Sequence, residues 1–369
     1  MSETAEFSYE ILAAILLIGF LVLLCAEYIW LYILSKKNEE TDLQKREINT
    51  RIHAMMEAFM YSPTQSSRET ELDSLLQYIS NDPAKKDEAA IQFVQLMRRS
   101  EDIPPEKLEA LGRLYEALDP ISFYAQILEK GSRFEKSYAV RRLADFMATD
   151  QIEEIRRLLD DKHTDLVYNA AMALSELADA QSVVLFAKRC ESNRNYSHRV
   201  LLELFQAYSG DRAALVRRLY SECNDYIKAT AVKAYTADCI EELAELYIEG
   251  LSGKDTNLKI ACVKALAQFG NPAYEQKMSI ALNDKNWIVR LAAVSGLEKI
   301  GTETALESLV GATQDQEWWV RNAAARAIVN IDFNLVYVEK VLSGYDKYAA
   351  DAVKNALYKQ IKMNGGALR

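Results

Sequence analysis

His53, His163 and His198 are the residues best suited to move a proton or hold a metal, and they stand far apart in the chain. None has metal-ligand spacing or a carboxylate companion, so neither metal nor acid-base chemistry is indicated. No glycine-rich phosphate loop, G-x-S-x-G elbow or Cys-His pairing occurs. Cys25, Cys190, Cys223, Cys239 and Cys262 lack any C-x-x-C spacing and fall in or at the ends of predicted helices. They read as small thiols in a reducing compartment, Cys262 as a buried one. The sequence thus predicts no catalytic residue, no cofactor and no metal.

Binding chemistry is better represented. Glu27 interrupts a long apolar run, where a carboxylate is costly and marks either a contact with a partner's helix or a position at headgroup level beside Tyr28, Trp30 and Tyr32. A second group is basic: Arg157, Lys188 and Arg218 recur at offsets of 188 − 157 = 31 and 218 − 188 = 30 residues, reinforced by Arg156 and Arg217. Such a stripe could receive an acidic peptide, a phosphate or a lipid headgroup. Glu249 ends it one period on. The third group is aromatic. Trp287, Trp318 and Trp319 lie near the starts of predicted helices, either as anchors for a partner or as packing between neighbouring elements.

The elements that hold these groups repeat. NWIVRLAAVSGLEKIG from Asn286 returns as EWWVRNAAARAIVNID from Glu317, an offset of 317 − 286 = 31 residues. In this frame Trp287 matches Trp318, Val289 matches Val320, Arg290 matches Arg321, Ala293 matches Ala324 and Leu297 matches Ile328. Upstream the frame recovers Leu258, Lys259, Cys262, Leu266 and Phe269, then Ile227, Lys228 and Ala231, while Arg199, Tyr168 and Ser137 occupy the Arg/Lys position still earlier. About seven copies lie between residues 134 and 346. Each predicts two helices, the first with apolar residues at i, i+4, i+8 and i+11 (Val289, Ala293, Leu297, Ile300) and a small residue at its middle. One hairpin cannot cover its own apolar face, so copies must stack on a shared core.

The pattern DKNWIVRLAAVSGLEKIG, followed by DQEWWVRNAAARAIVNID, resembles HEAT repeats of the short bacterial type also found in phycobilisome lyases, on Asp284 and Asp315, Val289 and Val320, Arg290 and Arg321 and the alanine pairs. The resemblance implies an all-α, right-handed α-solenoid of HEAT-like hairpins, with the Asp and Arg forming an inter-repeat ladder and the second helices lining the concave side. Tyr168 and Ser137 depart from the pattern, which predicts a different curvature in the early repeats.

The remaining chain divides by composition. Residues 1–10 read as a short extracytoplasmic N-terminus, 11–34 as a transmembrane helix, 35–63 as a juxtamembrane helix and linker with Ile48, Ile52, Met55 and Phe59 on one face, and 64–133 as a helical cap broken at Asn81-Asp82-Pro83, Ile103-Pro104-Pro105 and Asp119-Pro120. Residues 347–369 read as a capping helix and a loose tail. Lys36, Lys37, Lys45, Arg46 and Arg51 after the apolar run predict an outside N-terminus, an inner or plasma membrane location and a cytoplasmic solenoid. Thirteen glycines and six prolines with no strand alternation fit a helical chain, and the net charge of −10 argues against nucleic acid as partner. The expected function is a membrane-anchored scaffold or regulatory subunit that binds a protein partner. By resemblance, this would be an accessory subunit of a membrane-embedded complex such as an exopolysaccharide glycosyltransferase. The alternatives are a phycobilin lyase-like enzyme and peripheral binding of phosphate or lipid headgroups through the basic stripe.

Overall fold

The structure is a computed structural model that describes residues 3–98, 105–192 and 196–363, with side chains described from Phe20 onward apart from residues 21, 38, 41, 105, 106 and 192. The described residues are helical with no strand among them. They form two compact units, Met1–Phe123 and Tyr124–Arg369.

The first unit holds α1 (Glu3–Tyr61), α2 (Gln65–Ile79), α3 (Pro83–Arg98), α4 (Pro105–Leu118) and the start of α5 (Pro120–Lys130). Three of these helices begin on proline, where the missing N–H is one of the helix's unpaired donors anyway and the fixed φ suits the first turn. The break expected at Ile103-Pro104 lies outside the described residues. Thr64 caps α2, its hydroxyl accepting from the Ser67 amide at 3.2 Å. The last turns of α1 are the unit's core. Ile52, Met56, Phe59 and Met60 are buried there against α2 and α3. Ile48 and Met55, expected on that face, are only half-buried because α1 packs against more than one helix and its buried face is rotated accordingly.

The expectation of a single-pass protein of the inner or plasma membrane is overturned. Among the described residues no helix is long and apolar enough to cross a membrane. A span needs about 20 consecutive apolar residues, and the described part of the apolar run carries the charge of Glu27. The side chains of residues 11–19, on which the rest of that expectation fell, lie outside the described ones, as do the side chains of the N-terminal ten residues and the whole tail 364–369. With the span goes the argument for a membrane-embedded glycosyltransferase as partner, and for the orientation drawn from the lysines and arginines after it.

The second unit continues with alternating first and second helices. The first helices are α6 (Arg133–Asp145), α8 (Thr164–Glu176), α10 (His198–Ala207), α12 (Asp225–Tyr235), α14 (Thr256–Phe269), α16 (Trp287–Ile300), α18 (Trp318–Ile331) and α20 (Lys347–Met363). The second are α7 (Ile152–Arg157), α9 (Ala180–Ser192), α11 (Arg212–Glu222), α13 (Ala244–Leu251), α15 (Glu275–Ala281), α17 (Glu303–Ala312) and α19 (Val336–Leu342). Each first helix packs on the next, and from α8 onward each also packs on the second helix that precedes it. This is the stacked-hairpin arrangement that the 31-residue period requires.

The repeated positions explain why. Val289, Ala293 and Leu297 are buried, as are their counterparts Val320, Ala324 and Ile328 and, one period earlier, Leu258, Cys262 and Leu266. A small side chain in the middle (Ala231, Cys262, Ala293, Ala324) is fully buried, which lets neighbouring helices pack closely. Gly270 and Gly301 end α14 and α16 at φ +63° and +67°, a conformation that leaves a Cβ strained. Gly250 serves closeness instead. A Cβ there would stand 2.6 Å from the buried Sγ of Cys262. Gly250→Ala should therefore lower the urea midpoint, by about 1 to 3 kcal/mol of overpacking, and adding Cys262→Ala should restore most of it. Equal destabilisation in the single and double variants would contradict that contact.

Candidate protein-binding surface

The Asp/Arg positions do form a ladder. The Arg290 guanidinium grips Asp315 with two bonds, Nε to Oδ2 at 2.6 Å and Nη2 to Oδ1 at 2.8 Å, while Nη1 donates to the carbonyls of Asp284 and Lys285 at 2.9 and 3.2 Å. Lys259 makes the equivalent bond to Asp284 Oδ2 at 2.6 Å. Burial alone would raise the Asp315 carboxyl, but hydrogen bonds from Arg290 and from the Glu317 amide outweigh it and hold the group below the usual carboxylate range. In the departing repeat Tyr168 takes the arginine's place and reaches Glu203 of α10 through its hydroxyl at 3.2 Å. These groups are committed to joining repeats.

The basic stripe of the second helices is also committed. Arg156 bonds Asp179 at 2.8 Å, Glu153 at 2.5 Å and Ser182 at 2.8 Å, and the Asp179 hydrogen bond raises its pKa. Lys188 and Arg218 share Glu222 at 2.6 and 2.7 Å, and Arg217 bonds Glu242 at 2.8 Å. Arg157 projects to solvent 3.8 Å from Glu154. Every member thus has a carboxylate beside it, contributed in most cases by the next repeat. Glu27 is exposed on α1.

The three tryptophans part company. Trp287 is half-buried, but Trp318 and Trp319 are 55% and 60% exposed, with their rings perpendicular and 4.7 Å apart between centroids. They flank a groove of about 830 Å³ between α16, α18 and α20, completed by Phe333, Met363, Asn322 and Arg326. Phe333 and Met363 are 79% and 86% exposed, so the groove gathers large apolar side chains that the fold leaves uncovered. A second groove, of about 550 Å³, lies between α10, α12 and α14 and carries His198, Tyr226, Lys233 and Lys264.

Both grooves lie on the first helices, whereas the basic stripe lies on the second helices. The first helices pack on one another more extensively than the second helices do. Small residues at the middle of α8, α12, α14, α16 and α18 are what permit it. The sequence reading missed Lys233, Lys264 and Arg326. The signal was available in the repeat itself, since the three fall five residues after Lys228, Lys259 and Arg321 in the same 31-residue frame.

Among the described residues no three His, Cys, Asp or Glu side chains stand close enough to share a metal. Contrary to the sequence reading, His53 does have a carboxylate companion, Glu57 Oε1 at 3.5 Å on the next turn. His163 Nδ1 lies 3.2 Å from Arg133 Nη1. Burial pushes the thiols of Cys190 and Cys262 up to about 12 and that of Cys223 up to about 11, which leaves all three inert as nucleophiles.

Comparison with known structures gives distant likenesses. An engineered protein is 15% identical over 84% of this chain and 98% of its own, with a TM-score of 0.36. Human deoxyhypusine hydroxylase in complex with glycerol is 16% identical over 79% and 99%, with a TM-score of 0.30. Kap121p is 12% identical over 87% of this chain and 47% of its own length, with a TM-score of 0.45, so the chain spans about half of that protein. No curated protein matches the chain. A family model does: residues 244–329, which hold α13 to α18 and most of the aromatic groove's first two walls, match HEAT repeats.

Proposed function

We propose that this chain is a protein-interaction scaffold or regulatory subunit, without chemistry of its own, that holds a segment of another protein on the first-helix row of its repeats. The observation that carries this reading is the exposed pair Trp318 and Trp319 at the mouth of the groove between α16, α18 and α20. Large aromatic side chains are the residues that most often dominate binding between proteins, and they do so when a concave surface lets the partner desolvate them. The HEAT repeats match at residues 244–329 supports the same class of function. Arg156, Lys188, Arg217 and Arg218 are set aside as a binding stripe because each already has a carboxylate. The test is selection of binders from a displayed library of random 20-residue peptides against the full chain, followed by Trp318→Ala with Trp319→Ala. Selected peptides should lose binding to that variant and keep it toward Arg157→Glu with Arg218→Glu. The reverse pattern would place the site on the second helices.

A further inference from the structure

The groove between α10, α12 and α14 is lined by positive charge only, in a chain whose formal net charge is −10. Elsewhere in the unit, Arg156, Lys188, Lys259 and Arg290 cross between repeats to the carboxylates of Asp179, Glu222, Asp284 and Asp315, while Arg133 and Lys299 cross to the neutral groups of His163 and Gln268. Lys233 also meets an imidazole, its Nζ lying 3.4 Å from His198 Nε2. An ammonium can only donate, so Nε2 accepts, and the neutral ring carries its proton on Nδ1, 3.2 Å from Thr230 Oγ1. Thr230 donates in turn to the carbonyl of Tyr226 at 2.8 Å. Burial and then the nearby Lys233 lower the imidazole's pKa, which keeps the ring in this neutral form. The relay from Lys233 through His198 and Thr230 thus fixes the ammonium without neutralising it. Lys264 has no carboxylate partner among the described residues and lies one period on, 264 − 233 = 31.

The same register position runs on through Ser295 and Arg326, both of which line the aromatic groove. The two grooves are therefore successive parts of one face, basic between α10 and α14 and aromatic between α16 and α20. From α12 to α18 the row advances three helices at about 8 to 10 Å each, so the centres of the two grooves lie about 24 to 30 Å apart. An extended chain covers that distance at about 3.4 Å per residue.

We propose that one extended segment of a partner protein occupies this face, with an apolar anchor in the aromatic groove and a cluster of carboxylates against Lys233 and Lys264, the two separated by about seven to nine residues. This rests on the reading of the aromatic groove as a protein-binding site and adds the partner's charge and spacing to it. Binding energy would come from the anchor and selectivity from the carboxylates, whose placement opposite ammonium groups that no carboxylate neutralises rejects basic and neutral segments.

The 20-residue library selected against the full chain tests it. Enriched peptides should carry an acidic cluster and an aromatic or aliphatic anchor at that separation. Lys233→Glu with Lys264→Glu should weaken them about tenfold or more, with an unchanged circular dichroism spectrum because both side chains are exposed. The imidazole resonances of His198, one of three histidines, should move on binding. Peptides that enrich with the anchor alone and ignore the Lys233/Lys264 variant would overturn this proposal while leaving the protein-binding reading intact. No enrichment, or enrichment indifferent to Trp318 and Trp319, would overturn both. A mixed-sequence single-stranded oligonucleotide that binds the full chain more tightly than any selected peptide would replace the acidic segment with nucleic acid and overturn the proposal as well.

Discussion

Arg290→Ala should be the most damaging single substitution in the repeats, lowering stability by about 3 to 5 kcal/mol as read from urea unfolding. The side chains of Arg290 and Asp315 are only 7% and 10% exposed, so removing the guanidinium leaves a carboxylate desolvated and unpartnered. It also strands the carbonyls of Asp284 and Lys285, which Arg290 Nη1 now satisfies. Arg290→Lys should rescue little, because an ammonium is a point donor and cannot make the two parallel bonds to Asp315 while reaching those carbonyls. The effect carries a pH signature. The folded-state pKa of Asp315 lies below its unfolded value of about 3.9. Its stabilisation is therefore complete above that pH and is lost as pH falls through the lower, folded-state value. In Arg290→Ala burial acts on the carboxyl without its partner and pushes it up, so the gap between variant and parent should narrow as the solution is acidified. A gap that stays constant from pH 7 to pH 3 would show that the ion pair contributes nothing.

Removing both indoles, Trp318→Ala with Trp319→Ala, should weaken selected peptides by about 30-fold or more, the effect of losing an interface anchor worth about 2 kcal/mol. Stability should change little, since both rings are more than half exposed and the core of α18 is made by Val320, Ala324 and Ile328 on its other face. That separation of binding from folding is what distinguishes an anchor from a packing residue. Were the pair instead a cover for the joint between repeats, the double variant would unfold at lower urea and binding would fall only in proportion.

Much of this arrangement is legible in the sequence because it follows from local rules. The 31-residue period, the alanine or cysteine at the centres of α8, α12, α14, α16 and α18, the glycines at 270 and 301 and the prolines at 83, 105 and 120 each state a short-range constraint, and the helices begin and end accordingly. The residues that join repeats were legible too where the pattern is strict, as with Arg290 and Asp315. What the period does not carry is which row packs more extensively, a property of every repeat at once.

Ion pairing escaped notice for a related reason. Arg156, Lys188 and Arg217 take their carboxylates from the neighbouring repeat at separations of 23, 34 and 25 residues, so no fixed offset reveals them. A stripe of recurring cations looks unpaired in one dimension and is paired in three. The apolar run beginning at Ile11 failed differently. Its composition argued for a span, yet among the described residues no helix is long and apolar enough to cross a membrane, and Glu27 lies within the run. Lys233, Lys264 and Arg326 show the opposite case, a periodic feature in plain view that becomes meaningful once the grooves along the first helices are seen.

The central claim is that partners are held on the first-helix row. Its most direct test places a photoreactive benzophenone side chain at Asn322, in the aromatic groove of α18, or at Leu185, exposed on the second helix α9, and irradiates each full-length protein with a selected peptide. The account predicts a peptide adduct from position 322 and none from position 185. An adduct from position 185 alone would put the binding surface on the second helices and contradict it.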